Sequence, residues 1–302
     1  MKRLIRRKLK LLDLAKNLNT ENCIFCSRPG TTKEHVFSKL FHKYLDSLQA
    51  ERADAIVTTL GHTSEQTTFK MRGPMRDWKV KCVCGGTITS CNNGWMRELD
   101  KEMDSVASRL MRLPPEEDLP FRLFEPAQKI IATWAIMKVM VVHHTIIHHM
   151  QRKQMKEKVN PPNGWVVWIG YYKRSGNWWG EWTPRSFPVI RDDLLARRRS
   201  KVAKANSIAT TIVLQNLFIH VAYCRDRRLV TKWRFTANIE GGPLTGNLLK
   251  IWPPLGYSIV WPPVRLTDQD AIVISDAILH GIMAAARRLG LVPADPPPII
   301  KL

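Results

Sequence analysis

The chain reads as an α+β protein in two parts, a small cysteine-rich module followed by a larger mixed domain. Three observations predict this. Five of the six cysteines fall between Cys23 and Cys91. From Glu125 onward Ile130, Ile131, Trp134, Met137, Val141 and His144 recur at helical spacing. Beyond residue 160 the pattern changes to short β-branched and aromatic runs bounded by Gly, Pro and Asn, as strands are.

Taken in order, residues 1–20 predict a basic arm. Its first 16 residues carry seven Lys/Arg against the single Asp13, interleaved with Leu4, Ile5, Leu9, Leu11, Leu12 and Leu14. That pattern suits a short amphipathic helix on a polyanion or a solvated terminal helix, and Arg6 and Arg7 are its candidate nucleic-acid contacts. No uninterrupted apolar stretch or small-residue cleavage site follows, so it is not read as a secretory signal. Residues 21–112 form the cysteine-rich module. Paired Pro and an acidic run in Leu113–Pro120 remove backbone donors and offer no apolar face, which predicts a linker over 113–124.

A long helix from Glu125 to Lys158 follows, stopped by Asn160-Pro161-Pro162. Strands are predicted over 164–172, 211–214 and 217–223, and a final helix over Thr267–Leu289. Together they make 125–302 an α+β domain with an antiparallel sheet, suited to binding a substrate or partner. Trp252-Pro253-Pro254 and Trp261-Pro262-Pro263 read as the two ends of one strand.

Composition narrows the class. The 302 residues hold 47 Lys+Arg against 26 Asp+Glu, a formal charge of +21. With 44% hydrophobic residues, 11 Trp and 9 Phe, the chain has enough apolar material for a core, which excludes a disordered electrostatic tail. Nucleic acid is the leading partner for such a chain, because Lys and Arg that neutralise phosphates release condensed counterions. Clustered cysteines are unlike the even spread of a secreted disulfide scaffold, so a reducing, cytoplasmic setting is expected. The best membrane candidate, Ile130–Met150, is broken by Lys138 and four His, and no membrane association is expected.

Cys23-Ile24-Phe25-Cys26 is a C-x2-C knuckle, whose thiolates can take adjacent vertices of a tetrahedral Zn2+ site. The second pair comes from Cys82-Val83-Cys84-Gly85-Gly86-Thr87-Ile88-Thr89-Ser90-Cys91. Cys91 opens a predicted helix over 92–104, and its partner is Cys84 or Cys82. The Gly-Gly turn after Cys84 favours that residue. Four thiolates leave no open position for water, so this zinc is read as structural. Between the two pairs lies Glu34-His35. On a regular strand these side chains alternate, whereas at a bulge both can address one small site.

The order of Cys23-x2-Cys26, Lys33-Glu34-His35-Val36 and Cys91-Asn92-Asn93-Gly94-Trp95-Met96 resembles the HNH endonucleases, the ββα-metal nucleases, and in particular the recombination endonuclease VII type. The resemblance spans Cys23 to Leu99, about a quarter of the chain. It implies a β-hairpin and helix stapled by zinc, with a separate catalytic Mg2+ or Mn2+ on the scissile phosphate. Carried over, His35 takes the place of the general base, Glu34 that of the metal-binding Asp, and Asn92 that of the second metal ligand, with Asn93 the alternative. The implied activity is hydrolysis of phosphodiester bonds in DNA, in a phage, mobile-element or bacterial-defence effector working with a protein partner or as a homodimer. A non-catalytic zinc-dependent nucleic-acid-binding subunit is the other function compatible with these motifs. Two features depart from the family: six residues follow Cys84 before Cys91 (eight follow Cys82), and Glu34 replaces the commoner Asp.

This chemistry needs those residue types. A neutral imidazole can take a proton from water near neutral pH, and a hard divalent cation prefers carboxylate and amide oxygens. Elsewhere, Arg197, Arg198, Arg199 and Lys201, with Arg225, Arg227, Arg228, Lys232 and Arg234, are candidate phosphate contacts. Trp178, Trp179 and Trp182 read as core or interface before base stacking. His143, His144, His148 and His149 read as semi-polar helix positions, since no Glu stands where a metalloprotease needs one. Cys224 reads as a small buried hydrophobe.

Overall fold

The structure is a computed structural model that describes residues 20–44, 55–60, 66–71, 79–112, 120–144, 147–172, 182–187, 207–224, 238–239, 242–243, 248–271 and 274. The chain is mixed helix and sheet. The first strand, β1 (Thr31–His35), pairs antiparallel with β4 (Lys79–Cys84), with Thr31 opposite Cys84 and His35 opposite Lys79. A π-helical turn, Asn92–Met96, then leads into helix α1 (Arg97–Arg112). In space the order is strand, strand, helix, but the two strands are not the β-hairpin that the resemblance implies, since residues 36–78 lie between them. Between β1 and β4 lie a 3-10 helix, Lys39–Tyr44, and the hairpin β2 (Ala55–Leu60) and β3 (Gln66–Met71).

Helix α1 buries Leu99, Met103, Ala107, Leu110 and Met111, spaced so that they form one apolar stripe. That stripe belongs to the same core as α2 (Glu125–Val142), in which every residue from Ile131 to Val142 is buried. Phe37 and Phe41 reach across to the Trp134 ring of α2, with centroids at 6.4 and 4.9 Å. Residues on both sides of 113–124 thus share one core. Of that predicted linker, residues 113–119 lie outside the described residues, while 121–123 form a strand, β5 (Phe121–Leu123), paired with β13 (Ile259–Trp261). Leu123 supplies the apolar anchor that a linker reading overlooks.

One ion pair lies inside this core. Lys138 Nζ sits 3.0 Å from Asp100 Oδ1, which also accepts a hydrogen bond from Trp134 Nε1 at 2.7 Å. The two charged side chains are 4% and 10% exposed. Removing one partner leaves a buried charge unmatched, so Lys138→Met is expected to lower the unfolding free energy by about 3–5 kcal/mol. Urea unfolding checks this, and Lys138→Met with Asp100→Leu recovers much of the loss.

The single helix expected over 125–158 is two helices. Helix α2 stops at His143, whose Nε2 lies 3.3 Å from Thr210 Oγ1 on the sheet, and α3 (His149–Lys158) starts after His148, whose Nδ1 accepts from the Met150 N–H at 3.3 Å. Helical periodicity continues through the break because the apolar face continues. The polar side chains there make contacts that close one helix and open the next. Helix α3 ends where predicted, at a left-handed Val159 before Asn160-Pro161-Pro162.

Burial, with the neighbouring His144 adding to it, pushes the His143 pKa down to about 3. An imidazole in the unfolded chain protonates near ~6.5. Acidification from there toward pH 3 therefore adds a proton to the unfolded state first, and stability falls by about 1.4 kcal/mol per pH unit. Between pH 7 and pH 5 the loss at this site is about 2 kcal/mol, and His143→Gln is expected to remove it from urea-unfolding curves.

The main sheet has seven strands in the order β12, β6, β9, β8, β7, β2, β3. Its members beyond β2 and β3 are β6 (Trp165–Tyr171), β7 (Trp182–Phe187), β8 (Ser207–Leu214), β9 (Leu217–Cys224) and β12 (Leu248–Trp252). All neighbours are antiparallel except β2 and β7, which run parallel. Two short strands, β10 (Asn238–Ile239) and β11 (Gly242–Pro243), pair separately. All three predicted strand runs are present. Trp252 and Trp261, expected to bound one strand, instead end two different strands, β12 and β13. Of the final predicted helix only the start is described, and Thr267 and Asp270 cap it reciprocally, at 2.7 and 3.1 Å.

Candidate metal centre and basic face of the β1–β4 pair

The knuckle is built by main-chain bonds. Cys23 N–H donates to Arg28 O and Ser27 N–H to Cys23 O, both at 2.8 Å, and Ser27 takes a left-handed φ of 61° to close the turn. Thr20 N–H to Lys81 O and Ile24 N–H to Cys82 O, at 2.8 and 2.9 Å, then lay the knuckle along the edge of β4 that β1 leaves open. After β4 the chain returns through a Gly-Gly turn, with Gly86 at φ +97°. Ser90 Oγ donates to Thr87 O at 2.6 Å and receives Asn93 N–H at 3.3 Å. These bonds fold the six-residue spacer back on itself and bring Cys91 N–H to within 3.2 Å of Cys84 Sγ.

The result is a four-sulfur cluster. The ligand atoms of Cys23, Cys26, Cys84 and Cys91 all lie within 4.8 Å of one another, and Cys26 Sγ is 3.6 Å from Cys84 Sγ. Tetrahedral Zn–S bonds of ~2.3 Å place sulfurs about 3.8 Å apart, so this set could hold a metal ion such as zinc. It is the group with that property among the described residues. Electrostatics agree with the geometry. A hydrogen bond from Cys91 holds the Cys23 thiol down to about 4. The same bond, with burial, pushes Cys91 up, and burial pushes Cys84 up. One thiolate in the cluster thus discourages the next, and a bound dication lifts that limit. Phe25 and Trp95, edge to face at 5.1 Å, pack beside the cluster's two arms.

The choice between Cys82 and Cys84 is decided by a β-bulge. Thr32 pairs with Val83 and Lys33 with Lys81, which leaves Cys82 as the extra residue. The bulge re-aims its side chain, and Cys82 Sγ lies 3.8 Å from Val141 O in the core. Spacing alone leaves both candidates open, because residues two apart on a regular strand share a face.

The opposite end of the β1–β4 pair is basic. His35 faces Lys79 and Lys33 faces Lys81 across the strands, and all three lysines are exposed. Lys33 and Lys81 are directly opposed like charges, an unfavourable pairing in a sheet. The bulge expected to bring Glu34 and His35 together lies at Thr32/Lys33 instead, and Glu34 occupies the register position opposite Val80. His35 stands four residues, or about 13 Å, along β1 from the level of Cys84. A second histidine that the sequence did not single out joins it: the His42 ring packs edge-on to His35 at 5.5 Å. Nothing in local periodicity marks His42, which the 3-10 helix brings in.

Asn92 opens the turn that follows Cys91, half-buried, with Asn93 beside it. The acidic stretch after it is largely committed to internal pairs. Asp100 holds Lys138, Asp104 holds Lys43 at 2.8 Å, and Glu98 holds Lys101 at 2.8 Å. Arg6, Arg7, Arg197, Arg198, Arg199 and Lys201, the basic cluster from Arg225 to Arg234, and Trp178 and Trp179 lie outside the described residues. Among the described residues, no helix is long and apolar enough to cross a membrane. Comparison with known proteins found no matching family model, curated protein or solved structure.

Proposed function

We propose that this chain is a metal-dependent endonuclease of the HNH type that hydrolyses phosphodiester bonds in DNA. The observation that carries the reading is the position of His35. It shares one face of the β1–β4 pair with the exposed Lys33, Lys79 and Lys81, and that pair ends in a four-cysteine centre followed directly by Asn92. The lysines suit the phosphates on either side of the scissile bond, and the imidazole suits the attacking water.

The metal held by Cys23, Cys26, Cys84 and Cys91 is a structural zinc on this reading. Its four thiolates close the coordination shell, and β1 separates it from His35 by about 13 Å. The zinc ties knuckle, β4 and helix start into one unit, which sets the β1–β4 pair against the helix. His35 accepts the proton of the attacking water. Glu34 and Asn92, with Asn93 as alternate, come into this reading by the resemblance alone, as the oxygen donors that would hold a Mg2+ or Mn2+ ion; such an ion would neutralise charge building on the phosphoryl oxygens. Incubating supercoiled plasmid with the zinc-loaded protein, with and without added Mg2+ or Mn2+, tests the reading. Nicked circles that form only with the added ion support it. A mobility shift without nicking means a non-catalytic nucleic-acid-binding module.

A further inference from the structure

A groove of about 670 Å³ lies between the zinc knuckle, Asn22–Ser27, and helix α3. Its volume falls within the range of roughly 300–1,000 Å³ that ordinary ligand sites occupy. Arg152 builds its wall. The guanidinium Nε donates to Ile24 O at 2.8 Å, and Nη1 donates to the carbonyls of His144 and Ile147. Those bonds fix knuckle, helix break and α3 relative to one another and occupy Arg152 in doing so.

The remaining side chains give the groove its chemistry. His149, Lys153 and Lys156 stand at i, i+4 and i+7 on α3, one face of the helix, and all three line the groove. Two carboxylates also line it, Glu21 and Glu157, the latter 3.7 Å from Lys153 in an exposed pair of small energetic weight. The knuckle lies along β4 on the edge away from β1, so the groove is about two strand spacings, ~10 Å, from the strand that carries His35. The exposed Lys81 stands on the strand between them.

We infer that this groove grips the phosphates of a nucleic-acid strand beside the site of cleavage, with Lys153 and Lys156 as the contacts and His149 at the entrance. The inference rests on the reading of nucleic acid as the partner. It gives the zinc knuckle a binding role besides its structural one, since the knuckle main chain forms the opposite wall.

The test measures binding of a short labelled DNA duplex by fluorescence anisotropy, in a His35→Ala background without added divalent ion. Salt is varied from about 50 to about 200 mM. Each phosphate contact contributes about 0.9 to the slope of log K against log salt. Lys153→Gln with Lys156→Gln is therefore expected to reduce that slope by about 1.8 and to weaken binding about tenfold or more at the low-salt end. Lys158→Gln, an exposed charge on the same helix outside the groove lining, controls for net charge alone. Zinc content and circular dichroism confirm that each variant is folded. An unchanged slope in the double variant, or a change no larger than twice that of Lys158→Gln, overturns the groove while leaving the nuclease reading in place. A reduced slope in a protein that never nicks plasmid keeps the groove and removes the nuclease. Absence of any DNA binding removes both.

Discussion

Replacing His35 with Ala is expected to slow plasmid nicking by about 10²–10⁴-fold while zinc content and the unfolding midpoint stay close to those of the parent chain. The magnitude is that of losing a positioned general base, because water remains as a poorer proton acceptor. The fold is spared because His35 is only partly buried and sits on the lysine face of β1, while Val36 and Phe37 carry that segment into the core. DNA affinity should change little, since Lys33, Lys79 and Lys81 remain. A variant that binds as before and no longer cuts separates chemistry from binding. Loss of binding with loss of cutting would instead assign His35 to the DNA-gripping surface.

The other large effect concerns the sulfur cluster. Cys84→Ser is expected to lower bound zinc from about one per chain to near zero and to unfold the unit of strand pair and helix, because metal binding free energy is folding free energy in such sites. Apparent values for small zinc-binding peptides, about 10–16 kcal/mol, are as large as the total stability of a typical domain. Cys82→Ala should keep the zinc and cost only about 1 kcal/mol, as expected for trimming a small buried side chain. Metal analysis after gel filtration, with far-UV circular dichroism, reads both. If Cys82→Ala loses zinc and Cys84→Ser keeps it, the ligand assignment made here is wrong.

The parts of the fold that were legible in the sequence are those where one local rule decides. The knuckle Cys23-x2-Cys26, the strands around 165–171 and 217–224, and the stop at Asn160-Pro161-Pro162 each follow from spacing or turn chemistry. The misses came where a tertiary partner overrides the local pattern. His143 turns away to Thr210 and ends a helix whose apolar periodicity runs on. The Cys84 choice was no miss, but it took a β-bulge at Cys82 to separate two cysteines that a regular strand would place on one face. The segment 121–123 follows a Pro-rich stretch, yet Leu123 is buried and the strand finds its partner 136 residues later, at Ile259.

Of the candidate site, Cys23, Cys26 and Cys91 were readable from composition and order, while the choice of Cys84 over Cys82, favoured by the Gly-Gly turn, needed the strand register. The basic face on β1 and β4 was not singled out in the sequence. Lys79-Val80-Lys81 and Lys33-Glu34-His35 both show period-two alternation, but strand register was needed to place them on the same side. His42 was not readable, since it enters through a 3-10 helix with no periodic signature.

Hydrolysis at His35 is read out by a time course of supercoiled-plasmid conversion in Mg2+, with the zinc-loaded parent chain and His35→Ala run side by side. Nicked circles are expected to accumulate with the parent chain and at least about a hundredfold more slowly with His35→Ala. Equal rates for the two proteins, or no nicking by either while both retard the plasmid, would contradict it.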